Sequence, residues 1–208
     1  MGMMEAKIFS VLIGYVFGNF LTAEIVAHRT AGKSAADIGD TGNPGMANIM
    51  ENLGFVPGIL TLTGDLGKVI AAGLLSYVIF KGSGWIVTLY AGLGCTLGHN
   101  YPVWRKFKGG KGVATISMSV VLYAFFAGLA ANIAGMIVVF VSQYLCIGGP
   151  VIPFAFTVIM FLCGDTEAAV IGIALTCLSL LAHGGAILMI KKGGTKKTDV
   201  LGILRKKL

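Results

Sequence analysis

This sequence has little charge. Only 12% of its 208 residues are Asp, Glu, Lys or Arg, against about a quarter in soluble domains. From 112 through 164, a run of 53 residues, none occurs. With 56% hydrophobic residues and a mean hydropathy of +0.86, no soluble core could hide the apolar surface, so lipid solvates most of the chain. Cysteine is also scarce. Cys95, Cys146, Cys163 and Cys177 form no C-x-x-C pair. That excludes a disulfide framework and the common zinc patterns, and predicts buried free thiols. A basic leader is missing before the first apolar run, and Ala6 stands where a myristoylation signal needs Ser or Thr, so that run is expected to remain as a span. No soluble domain, internal repeat or low-complexity segment stands out.

Glycine, by contrast, is abundant at 31 residues. In a bilayer this points to helices packed closely through small residues. The net charge is +7, with the bases in short segments between apolar runs. Membrane topology explains that pattern more simply than nucleic acid, and no nucleic-acid partner is expected.

The apolar runs lay out the chain. Residues 8–23 open the first helix, with Gly14 and Gly18 as a GxxxG pair. Residues 28–52 are too polar to span and are expected to form a loop. Residues 55–80 are apolar apart from Asp65 and Lys68, and 82–104 carry no Asp, Glu, Lys or Arg. A basic knot follows: Arg105, Lys106, Lys108 and Lys111. The uncharged 112–164 must then reach the side opposite the knot. Three short crossings fit its length, with breaks near 125–128 and 146–150. After Asp165 and Glu167, residues 168–190 make the last span, and a basic tail covers 191–208. The expectation is an all-α integral membrane protein. It is one polytopic domain over 1–208 with about seven transmembrane helices, the N-terminus outside and the C-terminus cytoplasmic. Thirteen of the 16 Lys and Arg then lie inside, as the positive-inside rule requires.

Three constellations could carry chemistry. The first is Thr41-Gly42-Asn43-Pro44-Gly45-Met46-Ala47-Asn48. Asn-Pro-Gly is a turn signal whose successive N–H groups can form an anion nest, although an ordinary interhelical loop explains it as well. The second is Gly98-His99-Asn100-Tyr101-Pro102, followed by Lys108-Gly109-Gly110-Lys111-Gly112 at the start of a helix. Glycines admit an anion to the backbone, a helix N-terminus favours it, and lysines add charge. It is not a Walker A loop. A topological anchor of lysines would explain the charge but not the glycines or the His-Asn before them. The third is the intramembrane pair Asp65 and Lys68, three apart on one helix face. Glu24 is expected near the cytoplasmic end of the first helix, reaching the interface. His183 falls inside the last span.

These residues resemble a known family. Residues 98–115 are similar to the second motif of the acyl-phosphate:glycerol-3-phosphate acyltransferases (PlsY type). Residues 41–48 resemble the first motif, Ser-Gly-Asn-Pro-Gly-Ala-Thr-Asn, and Asp65-x-x-Lys68 resembles a further Asp-x-x-Lys-Gly. The resemblance implies an enzyme of phospholipid biosynthesis in the plasma membrane, with its active face cytoplasmic. It would move a fatty acyl group from acyl phosphate to glycerol 3-phosphate, giving lysophosphatidic acid, without metal or cofactor. Catalytic roles then fall to Thr41, Asn48, Lys111 and His183. Substrate or phosphate binding falls to Gly42, Asn43, Gly45, His99, Asn100, Lys108, Gly109, Gly110 and Gly112. The sequence also departs from the pattern. Met46-Ala47 replace Ala-Thr, Glu51 stands for an arginine, and Gln143-Tyr144-Leu145-Cys146 replace Arg-Tyr-x-Ser. The third motif, His-Arg-Glu-Asn-Ile, is reduced to His183-Gly184-Gly185-Ala186-Ile187. These losses sit on the acceptor side. They raise two alternatives, a divergent enzyme with another small acceptor and a non-catalytic binder of lipid or acyl phosphate.

Overall fold

The computed structural model describes residues 2–195 and 197. Most of the basic tail, Lys206 included, lies outside the described residues. Among the described residues the regular elements are helical: α1 (Met3–Gly18), α2 (Thr22–Ala31), α3 (Met46–Leu53), α4 (Phe55–Ile79), α5 (Val87–Asn100), α6 (Val113–Tyr123), α7 (Phe125–Ser142), α8 (Leu145–Leu162) and α9 (Thr166–Ile190). Five segments are long and apolar enough to cross a bilayer: Met3–Ala31, Phe55–Ile79, Phe125–Ser142, Leu145–Leu162 and Thr166–Ile190. The chain is therefore an all-helical, multi-pass membrane protein. The spans expected at 82–104 and after 112 are shorter, with 14 residues in α5 and 11 in α6. At a rise of about 1.5 Å per residue each falls below the ~30 Å hydrocarbon thickness.

The helices fall into two compact units, Met1–Tyr123 and Ala124–Leu208. In the first, α1 and α5 run parallel and nearly touch. A Cβ on Gly14 would strike the Ala91 carbonyl, on Gly18 that of Cys95, on Gly94 that of Val11 and on Gly98 that of Tyr15. The GxxxG pair of α1 thus meets a second one in α5, and backbones without side chains between them gain dispersion contact that lipid cannot replace. Helix α4 runs the other way. Its start carries Gly64 against Thr22, and just beyond its end Phe80 clusters with Ala6 and Val87. Helix α6 is antiparallel to α5, with Thr96 bonded to Thr115 near its start and Trp85, just before α5, donating to the Leu122 carbonyl near its end at 3.1 Å. The ends of α1 and α5 and the starts of α4 and α6 therefore share one end of the unit.

Residues 28–52 are not a plain loop. His28–Ala31 complete α2, Ala35–Asp37 form one 3-10 turn, and α3 opens at Met46. Polarity excludes a span there but not short helices. Ala23, Ala27, Ala35, Ile38 and Ile49 bury a small apolar cluster that seats them.

In the second unit, α7 and α8 form an antiparallel hairpin, with Gly135 against Ile152 and Gly148 against Val139. Helix α9 packs on α8 where Gly172 meets Thr157, and Asp165 caps it by accepting from Ala168 N at 3.0 Å. The breaks lie within three residues of the expected 125–128 and 146–150. They fall at Ala124, in extended backbone, and at Gln143–Tyr144, where Gln143 is left-handed at φ 63°. Pro150 and Pro153 lie inside α8 and leave the carbonyls of Cys146 and Gly149, four residues earlier, without their helical donors. Helices in lipid tolerate proline when neighbouring groups satisfy the freed carbonyls. None of the four cysteines is in a disulfide, but only Cys95 and Cys146 are buried, and Cys163 and Cys177 are exposed. In a membrane protein an apolar stretch faces lipid as readily as core.

Candidate active site

The first constellation links two short elements. Asn48, at the start of α3 and only 5% exposed, accepts from Thr41 Oγ1 at 3.0 Å and donates to the Ile38 carbonyl at 2.9 Å. Its Oδ1 also takes a hydrogen from Asn52 Nδ2 at 3.2 Å. Thr41 Oγ1 lies 3.4 Å from Asn43 N. Gly42 is left-handed at φ +55°, and a Cβ there would come within 2.8 Å of the Ala36 carbonyl. Asn43-Pro44-Gly45 closes on itself, with Gly45 N donating to the Asn43 carbonyl at 2.8 Å. Asn48 is therefore the post around which this loop winds. Glu51 is exposed on α3.

The second constellation folds back on the end of α5. Gly109 N donates to the Asn100 carbonyl at 3.0 Å, and Gly110 N to the His99 carbonyl at 2.9 Å. A Cβ on Gly109 would strike the His99 carbonyl, and one on Gly110 would strike His99 Nε2. These two glycines serve by close approach. Their N–H groups are spent on the fold, so the backbone donors for an anion begin at Lys111. Among the described residues, no acceptor engages Lys111 N or Gly112 N. The first turn of α6 adds N–H groups that have no intrahelical partner. Gly112, at φ +75°, turns the chain there against Asn100 Oδ1.

Asn100 is 4% exposed, and neither its Oδ1 nor its Nδ2 has a partner among the described residues. A buried orphan amide costs about 1–3 kcal/mol, which a ligand oxygen or hydroxyl could repay at this spot. Lys111 is half-buried beside it and Lys108 is exposed. Among the described residues neither forms an ion pair. The site thus combines N–H donors, one amide and two cations, a set suited to phosphate.

The third constellation joins the second through a residue the sequence treats separately. Lys68 Nζ spends its three hydrogens on Asp65 Oδ1 at 2.8 Å, the Phe20 carbonyl at 2.9 Å and His99 Nδ1 at 2.9 Å. Asp65 Oδ1 also accepts from Thr22 Oγ1 at 3.3 Å. An ammonium can only donate, so Nδ1 accepts and the ring proton sits on Nε2, the nitrogen against Gly110. Lys68 thereby fixes the His99 tautomer and is fully engaged. His99 is the residue that Asp65 and Lys68 serve.

The Glu24 side chain turns into the protein. It is 6% exposed and forms an ion pair with Arg105 Nη1 at 2.6 Å. It also accepts from Ser34 Oγ at 3.0 Å and Ala35 N at 3.1 Å. Sequence reasoning missed this partner. A lone acid near a helix end gives no sign of what 81 further residues will bring to it. His183 belongs to the second unit, fully buried in α9, with Nδ1 2.8 Å from the Ser179 carbonyl. Among the described residues no group of three His, Cys, Asp or Glu side chains is placed to hold a metal ion.

The glycerol-3-phosphate acyltransferase family profile matches residues 8–193. Over 203 residues the chain is 39% identical to glycerol-3-phosphate acyltransferase 1 of Lactobacillus acidophilus, covering 98% of this chain and 97% of that one. It is 37% identical over 199 residues to the protein of the same name in Lactobacillus johnsonii, covering 96% of each. Its fold is similar to the crystal structure of PlsY (YgiH), an integral membrane glycerol 3-phosphate acyltransferase, in its glycerol 3-phosphate form. The TM-score is 0.82 at 26% identity, covering 95% of this chain and 98% of that one. The match to the family spans nearly the whole chain, so this protein belongs to the glycerol-3-phosphate acyltransferase family, as an integral membrane acyltransferase of phospholipid synthesis.

Proposed function

We propose that the protein transfers a fatty acyl group from acyl phosphate to the 1-hydroxyl of glycerol 3-phosphate, yielding lysophosphatidic acid and inorganic phosphate. The observation that carries this reading is the orphan Asn100 amide beside Lys111 and the free N–H groups at the start of α6. It supports a phosphate leaving group held at this loop. The acceptor hydroxyl attacks the acyl carbon, the bond from that carbon to the phosphate oxygen breaks, and phosphate departs. The hydroxyl proton passes to the acceptor's own phosphate. An acyl phosphate is already activated, so positioning and charge stabilisation supply the rate and no enzyme nucleophile is required.

In this reading Lys108, Lys111, Gly112 and the Nε2–H of His99 hold the donor phosphate. Gly109 and Gly110 shape the loop. Thr41, Gly42, Asn43, Gly45 and Asn48 hold the acceptor, and a catalytic role for His183 rests on its place in the third motif alone. Binding of glycerol 3-phosphate and lysophosphatidic acid is supported by the PlsY (YgiH) structures named for those forms. The alternatives of another acceptor or a non-catalytic binder find no support in the relatives' names. The chain crosses the plasma membrane seven times, with this face in the cytoplasm.

The test is direct. Purified protein in nanodiscs, given acyl phosphate and glycerol 3-phosphate, should release phosphate and form lysophosphatidic acid. Lys111→Ala should lower kcat about 10²–10³-fold, the usual effect of losing one preorganised group at a developing anion. Release of phosphate without lysophosphatidic acid, or no effect of Lys111→Ala, refutes the reading.

A further inference from the structure

We infer that Glu24 is a positioning residue. Its carboxylate straps the loop that begins at Ser34 to the loop that carries Lys108–Gly112, so the acceptor and donor sides move as one body. The inference rests on the acyltransferase reading for what those sides do, but its geometry stands alone. One carboxylate meets both segments. Oε2 accepts from Ser34 Oγ at 3.0 Å and from Ala35 N at 3.1 Å. Oε1 meets Arg105 Nη1 at 2.6 Å. His28 Nε2 stands 3.9 Å away on the same helix.

Both segments are otherwise held from different places. The 101–105 turn hangs on the end of α1. Val103 N donates to Asn19 Oδ1 at 2.9 Å, Trp104 Nε1 to the Asn19 carbonyl at 2.8 Å, and Tyr15 OH to the Tyr101 carbonyl at 2.9 Å. The segment from Ser34 to Asn48 winds on α3, through Asn48, and packs Ala35 and Ile38 against Ala23 and Ala27 of α2.

The pairing also changes what Arg105 is for. The sequence counts it with the basic knot, whose charges set the topology. Its guanidinium is paired with Glu24 by charge, Nη1 lying close to Oε1 but out of line for a hydrogen bond, with the Arg105 side chain 16% and the Glu24 side chain 8% exposed. An ion pair this buried is geometrically exacting, because losing either partner strands the other charge. Arg105 is therefore a tether for Lys108 and Lys111 rather than a ligand beside them.

A double-mutant cycle between Ser34 and Arg105 tests the strap, since each reaches the other only through Glu24. Ser34→Ala, Arg105→Lys and the double variant are made in the wild-type chain and again in Glu24→Gln. For each, kcat and KM are measured for acyl phosphate and glycerol 3-phosphate separately, with the unfolding temperature. With Glu24 present, the two changes should be non-additive by about tenfold in kcat/KM, and Ser34→Ala should raise the KM for acyl phosphate, the substrate of the other loop. In Glu24→Gln the coupling should vanish. Additive effects with Glu24 present overturn the strap, as does a cycle that is non-additive in unfolding temperature alone. Should Glu24→Gln fail to fold, the wild-type cycle still decides. Should the wild-type chain transfer no acyl group, the acyltransferase reading falls by itself. The same cycle is then read in the affinity for inorganic phosphate, where non-additivity supports the strap and additivity overturns it.

Discussion

Lys68 is a cation with no hydrogen left to give. Its three donors go to Asp65, the Phe20 carbonyl and His99 Nδ1, so it cannot also bind substrate. Its effect reaches the site through the histidine it orients. This separates stability from activity. Asp65→Asn alone should destabilise the protein by about 3–5 kcal/mol, the cost of leaving a buried charge unpaired. Asp65→Leu with Lys68→Met removes both charges and should recover most of the unfolding temperature in detergent. It should not recover phosphate release, because His99 Nδ1 has lost the donor that sets its tautomer. Full recovery of both would show the cluster to be structural only. The sequence makes part of this legible. A spacing of three puts Asp65 and Lys68 on one face, and His99 stands out beside Asn100. What joins them is a helix crossing between α4 and α5, and no local pattern encodes that. Glu24 is harder still, because its meaning depends on Ser34 and Arg105 arriving from opposite directions along the chain.

Helix crossings are where glycine decides this fold. The α1–α5 contact rests on four glycines facing backbone carbonyls, with no side chain between to yield. Gly94→Ala would press a methyl into the Val11 carbonyl and should cost at least about 1–3 kcal/mol, the range for overpacking. Gly67→Ala on α4 meets nothing within 4 Å. It should stabilise by about 0.4–1 kcal/mol through a less flexible unfolded chain. Unfolding temperatures of the two variants should therefore move in opposite directions. A fall in both would mean that glycine acts here through flexibility instead of contact. The Gly14-x-x-x-Gly18 pattern is visible in the sequence, but its partner is not marked, since Gly94 and Gly98 sit among other glycines. The breaks at Ala124 and Gln143–Tyr144 are read a few residues late for a related reason. Composition within 112–164 is uniformly apolar, so glycine and proline draw the eye, yet both are accommodated inside helices once a neighbour packs against them.

At the scale of the molecule, the charges choose a side. Within the first unit, Arg29, Lys33, Arg105, Lys106, Lys108 and Lys111 all lie where α1 and α5 end and α4 and α6 begin. At the other end Lys7 is 5.7 Å from the Tyr90 ring centroid, and Lys81 follows the end of α4. Lysines and arginines within about 15–20 residues of a span end are retained in the cytoplasm, so the motif-bearing end should face inward. The labelling experiment needs a background with Cys95, Cys146, Cys163 and Cys177 replaced, because Cys163 and Cys177 are exposed. Single cysteines at Lys33 and Lys106 should resist an impermeant maleimide added to intact cells and react once the cells are opened. One at Lys81 should react from outside. The two breaks within 112–164 then decide the number of crossings. If α6, α7 and α8 each cross, Ala124→Cys reacts from outside and Gln143→Cys only after opening. If the stretch crosses once, with the rest lying in the interface, the two positions do not alternate in this way. A reversed pattern at Lys33 and Lys81 would put the lysine loop outside, away from any phosphate donor made in the cytoplasm, and would overturn the proposed orientation together with the cytoplasmic active face.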